Sequence, residues 1–114
     1  MIPKETIMPN GESRNWVRLQ ITLETFHALY GKWPTTIRLY PFFIDGLKKK
    51  LSPKDFQTLQ SKIKLVPDQE NPFLCYDADG NQFDYAHGGN PVPKEKSPVK
   101  AIDWLGINEP DYYD

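Results

Sequence analysis

The stretch from Trp33 to Val66 constrains the fold most, because it sets two short apolar strands at the ends of two helical runs. Ile37 and Leu39 alternate with Thr36, Arg38 and Tyr40, which predicts a strand with one buried face. Pro41 stops that strand and suits the first turn of a helix, where its missing N–H has no partner to lose. The helix it opens carries Phe42 to Leu51, with Phe43, Leu47 and Leu51 recurring four apart, and Gly46 as a weak point worth about 1 kcal/mol. Ser52-Pro53 then begins a second helix, with Asp55 three residues after Ser52 in the manner of a capping box. Phe56, Leu59 and Ile63 form its apolar stripe, and Leu65-Val66-Pro67 reads as another strand. Strand, helical connection, strand is the order of a parallel crossover, with an antiparallel return by a longer detour as the alternative.

Upstream of this stretch, Trp16, Leu19, Leu23, Phe26 and Tyr30 step by three and four, which places them on one side of a long helix. Ser13 or Asn15 is the expected cap, and Gly31 the expected stop. Val17, Ile21 and Ala28 make a second apolar strip on the same helix, which needs either a second covering layer or a partner. His27 borders the main strip, with Glu24 one turn before it. A general base or metal ligand is the functional reading of this histidine, and a half-buried helix histidine with one hydrogen bond the commoner one.

Downstream, Phe73-Leu74-Cys75-Tyr76 and Gln82-Phe83-Asp84-Tyr85 flank Asp77-Ala78-Asp79-Gly80-Asn81, which predicts a β-hairpin. Asp77, Asp79 and Asn81 resemble the first ligands of a calcium loop, but the glycine and the closing Glu are out of place, so a turn explains them and no metal is expected. Cys75 with His87 is the only nucleophile and base pair the hairpin brings near each other. From His87 to Pro98, two glycines and three prolines among charges describe an exposed connector. Val99 to Ile107 then has enough apolar surface for a short docking element, followed by an acidic aromatic tail. Trp104 either returns to cover the long helix or sheet, or joins Tyr112 and Tyr113 as anchors for a separate protein.

The expected architecture is α+β, or small α/β, with a sheet of about four strands, a long N-terminal helix, a two-helix crossover, a C-terminal hairpin and an extended tail. The chain divides into a flexible N-terminus (1–12), one globular domain (13–86), the connector (87–98) and a docking segment with its tail (99–114). Its 114 residues suffice for a core without staples. The single cysteine excludes an internal disulfide, and no leader or membrane-length apolar run is seen, so the cytosol is the expected compartment. Net charge is −1 overall, yet residues 1–66 hold eleven Lys/Arg against five Asp/Glu, and residues 67–114 hold three against ten.

No catalytic set and no cofactor fingerprint assembles from these residues. A non-catalytic adaptor, regulator or subunit acting through protein contacts is therefore the leading reading, with Val17, Ile21, Ala28, Trp104, Tyr112 and Tyr113 as its contacts and a homodimer as one form of partnership. Nucleic-acid binding by the basic half is the first alternative. It would use Arg38, Tyr40, Lys48, Lys49 and Lys50, where the first strand ends and a helix N-terminus favours anions. A small enzyme using Cys75 and His87 is the second.

Overall fold

The computed structural model describes residues 12–86 and 90–110. Helix α1 (Glu12–Tyr30) buries Trp16, Leu19, Leu23 and Phe26, each at most 3% exposed, so the strip spaced three and four apart is the core face. Asn15 does not cap it, because it lies within the helix, where it is buried and accepts a hydrogen bond from Arg18 at 3.0 Å; the Ser13 side chain lies outside what the structure describes. Gly31 ends the helix in the left-handed conformation (φ 73°), and its N–H reaches the His27 carbonyl at 2.8 Å.

Strand β1 (Thr36–Leu39) turns Ile37 and Leu39 into the core. Helix α2 (Pro41–Lys50) follows with Pro41 in its first turn, and Phe43 and Leu47 are fully buried. Ser52 caps α3 (Pro53–Lys62) by accepting the Asp55 N–H at 3.1 Å. The reciprocal half of that box is used elsewhere: the Asp55 carboxylate accepts from the N–H of Asn108, near the other end of the chain. Strand β2 (Lys64–Pro67) then runs parallel to β1, with Ile37 opposite Leu65.

The hairpin β3 (Leu74–Tyr76) and β4 (Gln82–Asp84) joins the other edge of β1 in antiparallel sense, giving one four-stranded mixed sheet in the order β2-β1-β3-β4. This is a small α+β domain. Directly paired residues share a face, so Ile37, Leu65, Cys75 and Phe83 point together into the core. Thr36, Arg38, Val66, Leu74 and Tyr76 point to the opposite face, and none of them joins the core cluster. The helices thus cover one face of the sheet.

Phe73 was expected to begin β3 and instead adopts a left-handed backbone (φ 62°), a conformation that costs a bulky residue energy. Its ring is buried in edge and tilted contacts with Tyr40, Phe43 and Tyr85, while its N–H and C=O bond to Arg38 and Tyr85. Those contacts hold the backbone there.

Beyond β4 the connector is fixed at two points. The Asn90 amide pairs with both backbone groups of Asp84, at 3.0 and 2.7 Å, and so covers the outer edge of β4 as a partial strand would. Further on, Ser97 meets His27 of α1 at 2.8 Å. The last helix among the described residues is α4 (Ala101–Leu105), where Ala101 and Leu105 are fully buried and Gly106 (φ 70°) closes the turn. Among the described residues no helix is long and apolar enough to cross a membrane.

Candidate interaction surface

The second strip of α1 is open where the first is closed. Val17 is 44% exposed and Ile21 42%, on a helix whose opposite side has no exposure to spare. Ile21 and Ala28 form the floor of a groove of about 540 Å³, with Pro93 completing the apolar part. The far wall is the connector, which supplies Lys94 and Lys96, continued by Lys100 just before α4. Among the described residues none of these three ammonium groups is engaged in an ion pair. Two acids also reach the groove, Glu24 and Glu95, and one oxygen of Glu24 is committed to the Ala101 N–H at 3.0 Å.

That bond gives Glu24, one turn before His27 on the helix, a role of its own. Glu24 acts as a cap in trans, satisfying the first free N–H of α4 with a charge that suits a helix N-terminus. The connector, expected as an exposed linker, is one wall of a concave surface because it is tied down by Asn90 and Ser97. Alternating polar and proline residues gave no sign of this in sequence, since the two ties reach Asp84 and His27, residues outside the connector itself.

His27 is also part of an aromatic column. It stacks on Trp33 at 4.2 Å, and Trp33 stacks on Trp104 at 4.5 Å with the rings 7° from parallel. The Ser97 hydroxyl donates to the Val99 carbonyl at 2.7 Å, so its single proton is committed and His27 Nδ1 is the donor to Ser97. A histidine that donates to a serine does not activate it. The pair is therefore a tether between connector and helix.

Trp104 is placed by this column against the chain's own core. Farther on, the Trp16 indole N–H donates to Glu109 at 3.1 Å, so residues 100–109 run as a strap across α1 and the start of α3. Tyr112 and Tyr113 lie outside the described residues.

The residues expected to bind anions are spread over two environments. Arg38 pairs with Asp68 at 3.0 Å and lies over the Tyr76 ring at 5.8 Å. Backbone N–H groups of Asn71 and Glu70, together with Arg38, hold the Asp68 carboxyl below its ordinary range, and Asp68 in turn raises the Arg38 guanidinium. This ion pair fastens β1 to the loop after β2. Tyr40 stacks on Phe42 at 5.1 Å and packs against the core. Lys48, Lys49 and Lys50 are exposed in the last turn of α2, where positive charge complements the free carbonyls.

Cys75 is fully buried between Thr22 and Phe83, and burial pushes its thiol up to about 12. At neutral pH it is a neutral core group. His87 lies outside the described residues. In the hairpin turn, the Asp77 carboxylate accepts N–H bonds from Asp79 and from Asn81, and Lys32 pairs with both Asp77 and Asp79. Partial desolvation would raise the Asp77 carboxyl, but the bonds from Asn81 and Lys32 outweigh it and hold it at about 2. A lysine thus supplies the positive charge at this turn. No cluster of three His, Cys, Asp or Glu suited to a metal occurs among the described residues.

Compared with known proteins, the chain matches no family model, no curated sequence and no solved structure.

Proposed function

We propose that this is a small cytosolic, non-catalytic adaptor, regulator or subunit that works through protein contacts made by the outer strip of α1. The observation that carries the reading is the exposure of Val17 and Ile21, 44% and 42%, beside a groove with a basic wall, on a helix whose other apolar strip is core. An exposed apolar strip rimmed by polar groups is the pattern of a contact surface. The buried Cys75 thiol and the donor role of His27 lend no support to chemistry by either residue.

The test is the native mass of the protein drawn from its own cells under mild conditions, with lysine cross-linking. A stoichiometric protein partner cross-linked at Lys94, Lys96 or Lys100 is the expected result. A bare monomer that gains no cross-link to another chain would overturn the reading. Binding of nucleic acid by Lys48, Lys49 and Lys50 draws less support, because Arg38 and Tyr40, its two other members, are engaged within the chain. Nucleic acid recovered with the protein and released by salt would promote it.

A further inference from the structure

We propose that the groove beside α1 docks an acidic peptide segment of a partner protein through one aliphatic or aromatic anchor; this rests on the interaction reading above and names the chemistry of its partner. The argument begins with where the charge lies. Residues 67–114 contain ten acidic residues and only three basic ones, Lys94, Lys96 and Lys100, and all three line this groove. Two acids share the lining, Glu95 and Glu24, the latter held on the Ala101 N–H, so three cations against two acids leave the groove with a net positive charge in a half whose remainder repels anions. Complementary charge of this kind steers encounter and selects the partner more than it sets affinity.

The floor supplies what charge alone does not. Ile21, Ala28 and Pro93 are apolar, and the volume of about 540 Å³ lies in the range of about 300–1,000 Å³ typical of sites that hold a side chain or small ligand. The strip continues to Val17, also exposed, so the apolar track from Val17 to Ala28 extends about 16 Å along the helix at about 1.5 Å per residue. A track of that length suits an elongated segment. Both ends of the basic wall are tied, to β4 through Asn90 and to α1 through Ser97 and the Glu24–Ala101 bond, so little ordering cost is left for binding.

The experiment titrates the full ¹⁵N-labelled chain with three synthetic, end-blocked hexapeptides: Glu-Asp-Leu-Tyr-Asp-Glu, its neutral form with Ser in place of each acid, and its basic form with Lys in place of each acid. The expected result is that the acidic peptide moves the amides of Ile21, Thr25, Ala28 and Lys96, binds at least about fivefold more tightly than the other two, and weakens severalfold when salt rises from about 0.05 to about 0.3 M. Ile21→Ser and the pair Lys96→Glu with Lys100→Glu should each weaken it about tenfold while the thermal midpoint stays in place. If the neutral or basic peptide moves the same amides equally well, the acidic partner is overturned and the docking surface stands. If no peptide moves these amides but raising the protein concentration does, a second copy is the occupant and the proposal is overturned. If nothing moves them, both this proposal and the interaction reading of the groove fall.

Discussion

Removing the indole of Trp104 distinguishes a strap that belongs to the folded domain from one that merely rests on it. Trp104 stacks on Trp33 and packs against the core, between Ala101 and Leu105, which are fully buried. A large aromatic buries about 150–250 Å². If about 100–150 Å² returns to water in Trp104→Ala, the area term is about 2.5–4 kcal/mol at about 25 cal/mol per Å². Residual burial in the unfolded chain trims this by roughly 10–40%, and the lost ring pairing adds about 0.5–1.5 kcal/mol. The expected cost is therefore about 2–5 kcal/mol, a large share of the roughly 5–15 kcal/mol that holds a domain together. For a chain of this length that is a fall in Tm of about 8–20 °C, at about 4 °C per kcal/mol. Urea unfolding followed by near-UV and far-UV circular dichroism measures it. Trp33→Ala and the double variant complete a cycle in which the two indoles should couple by about 0.5–1.5 kcal/mol. A Trp104→Ala protein destabilised by less than about 0.5 kcal/mol, the range of ordinary surface changes, would refute the reasoning.

Leu23→Ala should cost about 2–5 kcal/mol, because it opens a cavity on the buried side of α1, whereas Ile21→Ser on the outer strip should stay within about 0.5 kcal/mol; equal effects in chemical denaturation would contradict the division of the helix into two sides. Asp77 has its folded carboxyl held at about 2 against an ordinary value of 3.8, so the stability it contributes is complete above about pH 4 and is lost as the pH falls through 2. Lys32→Ala removes one of the groups that lower Asp77, so acid titration followed by circular dichroism should show its unfolding at higher pH than the parent's; an unchanged acid midpoint counts against that account. Cys75, with its thiol pushed up to about 12 by burial, should resist alkylation in the folded protein at pH 8 and react fully in denaturant, as mass spectrometry reads directly; rapid labelling of the folded chain would show the thiol to be accessible.

The parts of this fold legible in sequence are those in which burial repeats with a local period. Phe43 and Leu47 on α2, Leu59 and Ile63 around α3, and the strip from Trp16 to Phe26 on α1 are buried at the spacing their helices impose, and Pro41 and Ser52 mark helix starts by chemistry that acts within one turn. Period-2 alternation in a strand says which residues share a face but not which face the helices cover. Leu74 and Tyr76 are more apolar than a solvent face requires, yet it is Cys75 that enters the core, because its register opposite Ile37 fixes the direction. Phe73 shows the same limit in the backbone. Nothing adjacent to it requires a left-handed conformation; the aromatic neighbours Tyr40, Phe43 and Tyr85 do. The groove was half legible, through Ile21 and Ala28, while its basic wall depends on contacts such as His27 to Ser97 that span seventy positions and leave no periodic trace.

The strap and the groove share parts, and that sharing has a measurable consequence. Lys96 and Lys100 belong to the groove wall; Lys96 immediately precedes the tether at Ser97, and Lys100 immediately precedes the docked helix that begins at Ala101. Contacts along this segment hold it to α1 and its end, among them Ser97 to His27, then Ala101 to Glu24, and third Trp104 to Trp33, which itself stacks on His27. Loosening the third contact lowers the fraction of molecules in which the wall is formed, and apparent affinity for anything bound there falls in proportion to that fraction. Trp104→Ala should therefore weaken the acidic hexapeptide although it removes nothing that lines the groove, and Trp33→Ala should do the same. By reciprocity, saturating peptide should restore part of the lost stability, about 2.7 kcal/mol at a hundredfold excess over Kd if the unfolded chain does not bind. Peptide affinity equal in Trp104→Ala and the parent, measured where both are fully folded, would mean that the wall is set by the Ser97 and Ala101 contacts alone.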